Sequence, residues 1–388
     1  MKPMNIMVLT PWYPTQDHKY SGVFVREYAK AVQNHCNVTV LHCGIVDQTI
    51  PTWWAMVQEH DKELTDGIPS YRVLFRRSRI KGVSSLRRHG SVYRAVVELS
   101  KERGRPDLLH AHVFSTGKAA LLTGKMLGIP VVISEHSSRF LRGTLSRRKI
   151  CEARLIFRMA DAVLPVSDAL QKKLRDKGVK AAFQVVPNLV DTDLFRYEPI
   201  RLQSDGSLRL LAVSSLVKHK GLAYLFQALT MVSWKNRYWR LDVVGDGPEA
   251  AQHYQMVKDL KLTAHVTFHG QMFKHEVAQM MRAADLFVLP SIIETFSVST
   301  AEALASGLPV LVTRCGGPEG FVNERAGMII APGDAEELAD ALTSMIERLH
   351  SYDPAAIARE AKERFGSASV SETLCELYER LIKGHSQP

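Results

Sequence analysis

No stretch of the 388-residue chain reaches the about 18 consecutive apolar residues that a membrane-spanning helix needs, so none is expected. Cysteine is scarce. Cys36, Cys43, Cys151, Cys315 and Cys375 are odd in number, scattered and never spaced as CxxC. That argues against a disulfide framework or a zinc site and for reduced thiols in a cytoplasmic compartment. The opening MKPMNIMVLTPWYP has no signal-peptide pattern; residues 5–10 read instead as a first core strand. Neither GxGxxG nor a Walker sequence occurs, which disfavours a dehydrogenase or a P-loop NTPase. Low-complexity tracts and short repeats are absent too. Acidic residues are sparse between residues 71 and 105, where eleven Lys/Arg are opposed only by Glu98 and Glu102. A second basic stretch, RFLRGTLSRRK, spans 139–149, and the net charge is +10. Such a surface either attracts phosphate-bearing partners, an anionic lipid headgroup or a phosphorylated substrate, or is a solvated basic face. No aromatic-rich motif accompanies the charge, so nucleic acid is not an expected partner.

What is present is a regular alternation. Apolar residues make up 46% and charged residues 23%, the balance of a globular protein, and the length favours two domains. In the first half, short apolar runs lie at 5–10, 37–43, 71–75, 107–113, 130–136, 162–167 and 183–188. In the second they lie at 208–215, 241–247, 266–270, 285–291, 309–313 and 327–331. Helical candidates separate them, among them 23–33, 119–127, 168–177 and 336–349. Strands alternating with helices predict parallel sheets, one doubly wound α/β sheet in each half. The polar segment RYEPIRLQSDGS (196–207) reads as a linker between a domain at 1–195 and a domain at 208–366. A last amphipathic helix at about 367–388 carries Val370, Leu374, Leu377, Tyr378 and Leu381 on one side. Open α/β sheets bind ligands beyond the carboxyl ends of their strands, so two facing sheets would place their sites across a common cleft.

The residues that carry chemistry sit after such runs. DLFVLPS is followed by a loop at 291–295 and a helix stopped by Gly307. The amides of Phe296, Ser297 and Val298 at that helix start form an anion site suited to a phosphate. Glu294 stands ahead of it, placed to accept hydrogen bonds from sugar hydroxyls, with Thr295 beside it. Glu302 either takes the paired hydroxyls of a ribose or completes a capping box with Ser299. Lys220, beside Gly221 at a strand-to-helix turn, either neutralises a diphosphate or is surface decoration. Gly245, in the tight turn VVGDGPEA, permits close backbone approach. In the first half Gly22 ends a long loop directly before a helix. His112 and His136 end strands, His136 being followed by Ser137 and Ser138; each is a substrate contact or a satisfied buried histidine. PTWWAM (51–56) reads as one of the first-half loops that shape an acceptor site, unless Trp53 and Trp54 belong to the core.

SIIETFSVSTAEALASGLPVLVTRCGGPE resembles the E-x7-E signature of the family-4 glycosyltransferases. PWYPTQDHKYSGVFVRE, PDLLHAH, VVISEHSS, VPNLVDTDLF, LVKHKG, GDGP and VTFHGQ resemble further family blocks in the same order, so the resemblance covers nearly the whole chain. It implies the GT-B fold, two Rossmann-like doubly wound domains facing a central cleft, and retaining transfer of a sugar from a nucleotide diphosphate sugar. Family frequency points to UDP-glucose. It implies that Glu294 holds the donor sugar and Glu302 the ribose. Lys220 and the amides of Ser297 and Val298 would bind the diphosphate, Gly22 would approach from the other domain, and His136 would face the reacting sugar. The turn at Gly245 and the residues Gln271 and Met272 after VTFHG would complete the donor site, and His112, Ser137 and Ser138 would lie on the acceptor side. The acceptor is expected to be a saccharide or lipid-linked saccharide of cell-surface polysaccharide biosynthesis, and the basic first half suggests a cytoplasmic enzyme working peripherally at an anionic membrane face. No cofactor or essential metal is implied, since Asp191-Thr192-Asp193, though it looks like a metal-binding DxD, follows VPN at the domain edge. One departure stands out: where the family commonly carries Gly-Arg, this chain has Ser214-Ser215, so a diphosphate-binding cation is missing from its usual place. The rival readings are a glycoside hydrolase built on paired carboxylates, a nucleotide-sugar epimerase, and a non-catalytic nucleotide-sugar sensor.

Overall fold

The computed structural model describes residues 3–16, 18–19, 21–80, 82–199, 207–235 and 237–385. The chain divides into two compact units, Met1–Leu189 with Ser367–Pro388, and Val190–Gly366. This division lies ahead of residue 195. Val190 N–H donates to the Phe365 carbonyl at 2.9 Å, and Glu198 faces Arg282 at 3.7 Å, which ties residues 190–199 to the second unit. Of the segment read as a linker, residues 200–206 lie outside the described residues.

The first unit carries seven strands: β1 (Met4–Thr10), β2 (Cys36–Val46), β3 (Trp54–Glu59), β4 (Ser70–Phe75), β5 (Leu108–His112), β6 (Val131–Glu135) and β7 (Ala162–Pro165). They are ordered β3-β4-β2-β1-β5-β6-β7, and every pairing is parallel except β3 with β4. The central strands are buried along nearly their whole length, as their continuous apolar runs require of a sheet covered on both faces. The helix Val23–Gln33 and the C-terminal helix Ser367–His385 close one face. Val25, Tyr28 and Val32 pack there with Val370, Leu374, Leu377 and Tyr378. Cys36 Sγ and Cys375 Sγ lie 3.9 Å apart under that helix, and no disulfide joins any described cysteines.

Two expectations need correction. The segment 51–56 is not a loop throughout: Trp54 opens β3, an antiparallel edge strand paired to Phe75, and Trp53 packs under the Arg94 guanidinium at 5.2 Å. The run 183–188 forms no strand of its own; it makes a single bridge from Phe183 to Val163. Its Pro187 has no N–H to continue a ladder.

The second unit has six strands, β8 (Leu208–Val213), β9 (Trp239–Val244), β10 (Val266–Gly270), β11 (Leu286–Leu289), β12 (Val310–Thr313) and β13 (Gly327–Ile330), all parallel in the order β10-β9-β8-β11-β12-β13. Leu210, Leu225, Phe226, Leu241, Val288, Leu311, Leu342 and Met345 form its core. Both sheets, the antiparallel edge aside, have the doubly wound order in which the chain reverses direction beside the first strand of each unit. The switch points lie between β1 and β5 and between β8 and β11, and ligand sites of such sheets form at these points. Among the described residues no helix is long and apolar enough to cross a membrane.

Candidate active site

At the switch point of the second unit, the turn after β8 and the loop after β11 are pressed together. Lys218–Lys220 forms one 3-10 turn ended by Gly221 at φ 70°. A Cβ on Gly221 would stand 2.0 Å from the Pro290 carbonyl oxygen, so only glycine lets the two segments approach this closely. The approach delivers Lys220 Nζ to Glu294 Oε1 at 2.5 Å, and Ser291 Oγ donates to the same carboxylate oxygen at 2.8 Å. The carboxylate side chain is 8% exposed and the lysine side chain 18%, so this ion pair is largely removed from water. Thr313 Oγ1 from β12 donates to the Ser291 carbonyl and Glu294 N–H to the Cys315 carbonyl, which pins the loop to the neighbouring strand. Lys220 and Glu294, given separate ligands by sequence reading, are thus each other's partners. Ser291 joins them from within the loop already singled out.

The helix that follows is Val298–Ala305, with Ser297 at its N-cap in a left-handed conformation, φ 76°. The capping box on Ser299 is therefore not formed: the helix begins ahead of it, and Ser297 Oγ pairs with Thr300 Oγ1 at 2.7 Å. The first amides of this helix have no intrahelical acceptor and carry the positive end of its dipole. Glu302 is buried on the same helix and Thr295 is half-buried in the loop. The Phe296 ring turns into the core against Phe321 and Phe365, with centroids at 5.1 and 5.4 Å, leaving only its backbone for a ligand. The Gly245 N–H is committed to the Gly270 carbonyl at 2.8 Å, so it serves the turn. Gln271 is exposed and Met272 half-buried just beyond β10, at the far edge of the sheet from β11. Asp191 Oδ1 accepts from the amides of Asp193 and Leu194, a local turn.

In the first unit, Gly22 caps the helix Val23–Gln33 at φ 67°, and a Cβ there would lie 2.1 Å from the Trp12 carbonyl oxygen. The long loop after β1 is thereby folded onto the helix start. On β5 and just beyond β6 three histidine rings stack. His110 and His112 have centroids 4.7 Å apart, and His112 and His136 5.1 Å. His112 Nδ1 and His136 Nε2 are 2.9 Å apart, and His136 Nδ1 is 3.1 Å from Asn188 Oδ1. His110 bridges Tyr378 OH at 2.6 Å and Ser134 Oγ at 2.8 Å. Burial pushes the pKa of His110 and of His136 down to about 3 and that of His112 well below its ordinary value, so all three are neutral at pH 7. His136 has both ring nitrogens engaged within the unit; it is no free proton donor as it stands.

Glu135, one residue earlier, is fully buried. Its carboxylate accepts from the amides of Phe114 (3.0 Å), His136 (3.1 Å) and Ser137 (2.8 Å). Desolvation outweighs these three amides and raises its pKa to about 7. It ties the ends of β5 and β6 together and caps the helix Phe114–Leu127, which begins ahead of the expected residue 119. Val113, between His112 and that helix, has φ 59°, a strained conformation for a β-branched residue. Strain at the switch point of each unit, on Val113 and on Ser297, marks positions that the surrounding structure over-determines. Sequence reading missed Glu135, His110 and Asn188. Asn188 lies in VPNLVDTDLF, a block quoted without a role, whereas nothing local distinguishes Glu135 from an ordinary strand-end carboxylate.

Residues 21–194 match the family model described as Glycosyltransferase Family 4, and residues 207–348 the model described as Glycosyl transferases group 1. A Bacillus subtilis glycosyltransferase named for teichuronic acid biosynthesis is 29% identical over 366 residues, covering 88% of each chain. An amylovoran biosynthesis glycosyltransferase of Erwinia amylovora is 27% identical, covering 74% of this chain and 73% of its own. Among solved structures, HepE of Anabaena in complex with UDP superposes with a TM-score of 0.76 at 21% identity, over 97% of this chain and all of that one (100%). Sucrose-phosphate synthase of Thermosynechococcus elongatus superposes with a TM-score of 0.74 at 19% identity, over 98% and 100%.

Proposed function

The chain belongs to glycosyltransferase family 4, and we propose that it moves a hexose from a nucleotide diphosphate sugar to a saccharide or lipid-linked saccharide, with retention at the anomeric carbon. The observation that carries this reading is the buried Lys220–Glu294–Ser291 cluster beside the helix start at Val298. A cation and a helix N-terminus at one switch point hold positive potential where a departing diphosphate gains charge. Glu294 accepts from the donor sugar's hydroxyls and Glu302 from the ribose. In the first unit His136 faces the reacting sugar, and His112, Ser137 and Ser138 lie on the acceptor side. The bond from the anomeric carbon to the phosphate oxygen breaks, the acceptor oxygen bonds on the same face, and its proton passes to the leaving phosphate oxygen. No step needs a metal. UDP-glucose is the donor we favour; Anabaena HepE has been solved with UDP-glucose, and the named relatives act in polysaccharide biosynthesis.

A panel of nucleotide sugars, assayed by thermal shift and by nucleoside diphosphate release with chelator present, tests the reading. A UDP-hexose should raise the melting temperature, because a ligand bound only by the folded chain stabilises it, and release should depend on acceptor. Sugar-nucleotide interconversion without acceptor, or no response to any nucleotide sugar, would refute it.

We also place the enzyme at an anionic membrane surface. Ile80 and Leu86 are 69% and 72% exposed, and Arg76, Arg77, Arg79 and Arg87 surround them in sequence. Apolar tips among arginines suit a headgroup interface, each cation contributing about 1 kcal/mol near an anionic leaflet. The chain should sediment with phosphatidylglycerol vesicles at low salt and not with phosphatidylcholine vesicles, and Ile80→Glu/Leu86→Glu should weaken that binding. Equal retention on both vesicle types would remove the proposal.

A further inference from the structure

We propose that Asn188 is a positioning residue of the first unit's strand-end site: its side-chain oxygen fixes His136, and through it His112, with the proton on Nδ1 of each ring. The inference rests on the transferase reading above for its kinetic consequence, but its geometry is independent of it. Asn188, His136 and His112 form a chain of hydrogen bonds that can run in two directions. In one, His136 Nδ1–H donates to Asn188 Oδ1, His112 Nδ1–H donates to His136 Nε2, and His112 Nε2 is left as a bare acceptor. In the other, the Asn188 amide donates to His136 Nδ1, the protons shift to the Nε2 atoms, and His112 is left with a buried N–H.

His112 Nε2 is buried and has no hydrogen-bond partner among the described residues. Orphaned buried N–H groups are rare in folded proteins, which disfavours the direction that leaves a proton on His112 Nε2 with no acceptor. The first direction is therefore the stable one. It agrees with the oxygen of Asn188 facing the ring. Phe24 at 4.6 Å and His112 at 5.1 Å flank the His136 ring and Tyr28 meets it edge-on at 6.0 Å, so it is held in place as well as in tautomer.

The consequence is a pair of uncharged, immobile rings at the ends of β5 and β6. A transfer that builds positive charge on a sugar carbon is opposed by an imidazolium and not by a neutral imidazole. The relay leaves no place on His136 for a second proton. Asn188 acts through His136, from a segment that adds no strand to the sheet.

The test is long-range 1H–15N correlation on the full chain labelled at histidine, with His112→Gln and His136→Gln for assignment. Wild type should show both rings protonated at Nδ1. Asn188→Leu should move His136 to the Nε2–H form or a mixture and lower kcat by roughly ten-fold, as a displaced active-site group does, with the donor KM within about three-fold of wild type. Asn188→Asp, which keeps an acceptor oxygen, should retain the Nδ1–H form but recover only part of kcat, because a carboxylate beside the ring favours the imidazolium. A wild-type His136 protonated at Nε2 overturns the proposal. So does an Asn188→Leu chain that keeps wild-type kcat after its tautomer has changed. The tautomer is read without substrate, so failure here is distinct from absence of transfer by wild type, which would instead sink the proposed function.

Discussion

Replacing Glu294 by alanine is expected to lower glycosyl transfer by at least about ten-fold, the cost of losing a hydrogen bond to a group bound in a dry site. It should also destabilise the second unit. The carboxylate is the partner of Lys220 at 2.5 Å and of Ser291 at 2.8 Å, so its removal leaves a largely buried ammonium unpaired. Breaking such a pair from one side costs about 3 kcal/mol. Lys220→Ala should lose activity to a similar degree and be destabilised in turn. The double variant should be less unstable than the two single effects summed, since it leaves no unpaired charge behind. Chemical denaturation of the three variants, followed by acceptor-dependent release of nucleoside diphosphate, reads both effects. Full activity in either single variant would remove the cluster from the reaction. Additive stabilities would show that the pair is not coupled.

The second large effect is acid lability of the first unit. His110 and His136 have folded pKa values of about 3 against an ordinary 6.5, and His112 is shifted the same way, all through burial. A base held neutral in the folded state contributes stability fully above its unfolded pKa and loses it as pH falls below 6.5. Each such group costs about 1.4 kcal/mol per pH unit on the way down to its folded pKa. Glu135 works against this. Its folded pKa of about 7 against an ordinary 4.5 means that folding takes up a proton between those values, so its own term favours the folded state as pH falls from 7 to 4.5. Three histidines outweigh one carboxyl in the shared window. Urea unfolding should show stability falling by about 2 kcal/mol or more from pH 6.5 to 5.5. Glu135→Gln should steepen the fall by removing the opposing term. A flat profile across that range would mean that the histidines charge without unfolding the relay.

Much of this was legible in the sequence. Continuous apolar runs separated by helix-length segments identified both parallel sheets, because strands buried on both faces must be apolar throughout. The edge strand β3 was missed although Trp53–Val57 are consecutive apolar residues: its residues are only half-buried or exposed, and its antiparallel pairing to β4 stands outside the alternation of strands and helices. The helix after Glu294 was read from its Gly307 stop, and its true start at Val298 from neither capping residue. Asn188 and Glu135 stayed hidden because their importance lies in partners contributed by other segments.

The sequence by itself determined the two α/β units, the placing of Glu294, Lys220, His112 and His136 at strand ends, and the family. Only the tertiary structure decided who pairs with whom. Lys220 and Glu294 are 74 positions apart, and they meet because β8 and β11 are neighbours at the switch point and Gly221 lets its turn lie against Pro290. His136 and Asn188 are 52 positions apart, joined where the chain passes the end of β6 without forming a strand. Periodicity is a local property and writes itself into a segment; a hydrogen-bond partner across a sheet is set by strand order and close approach, which no single segment contains.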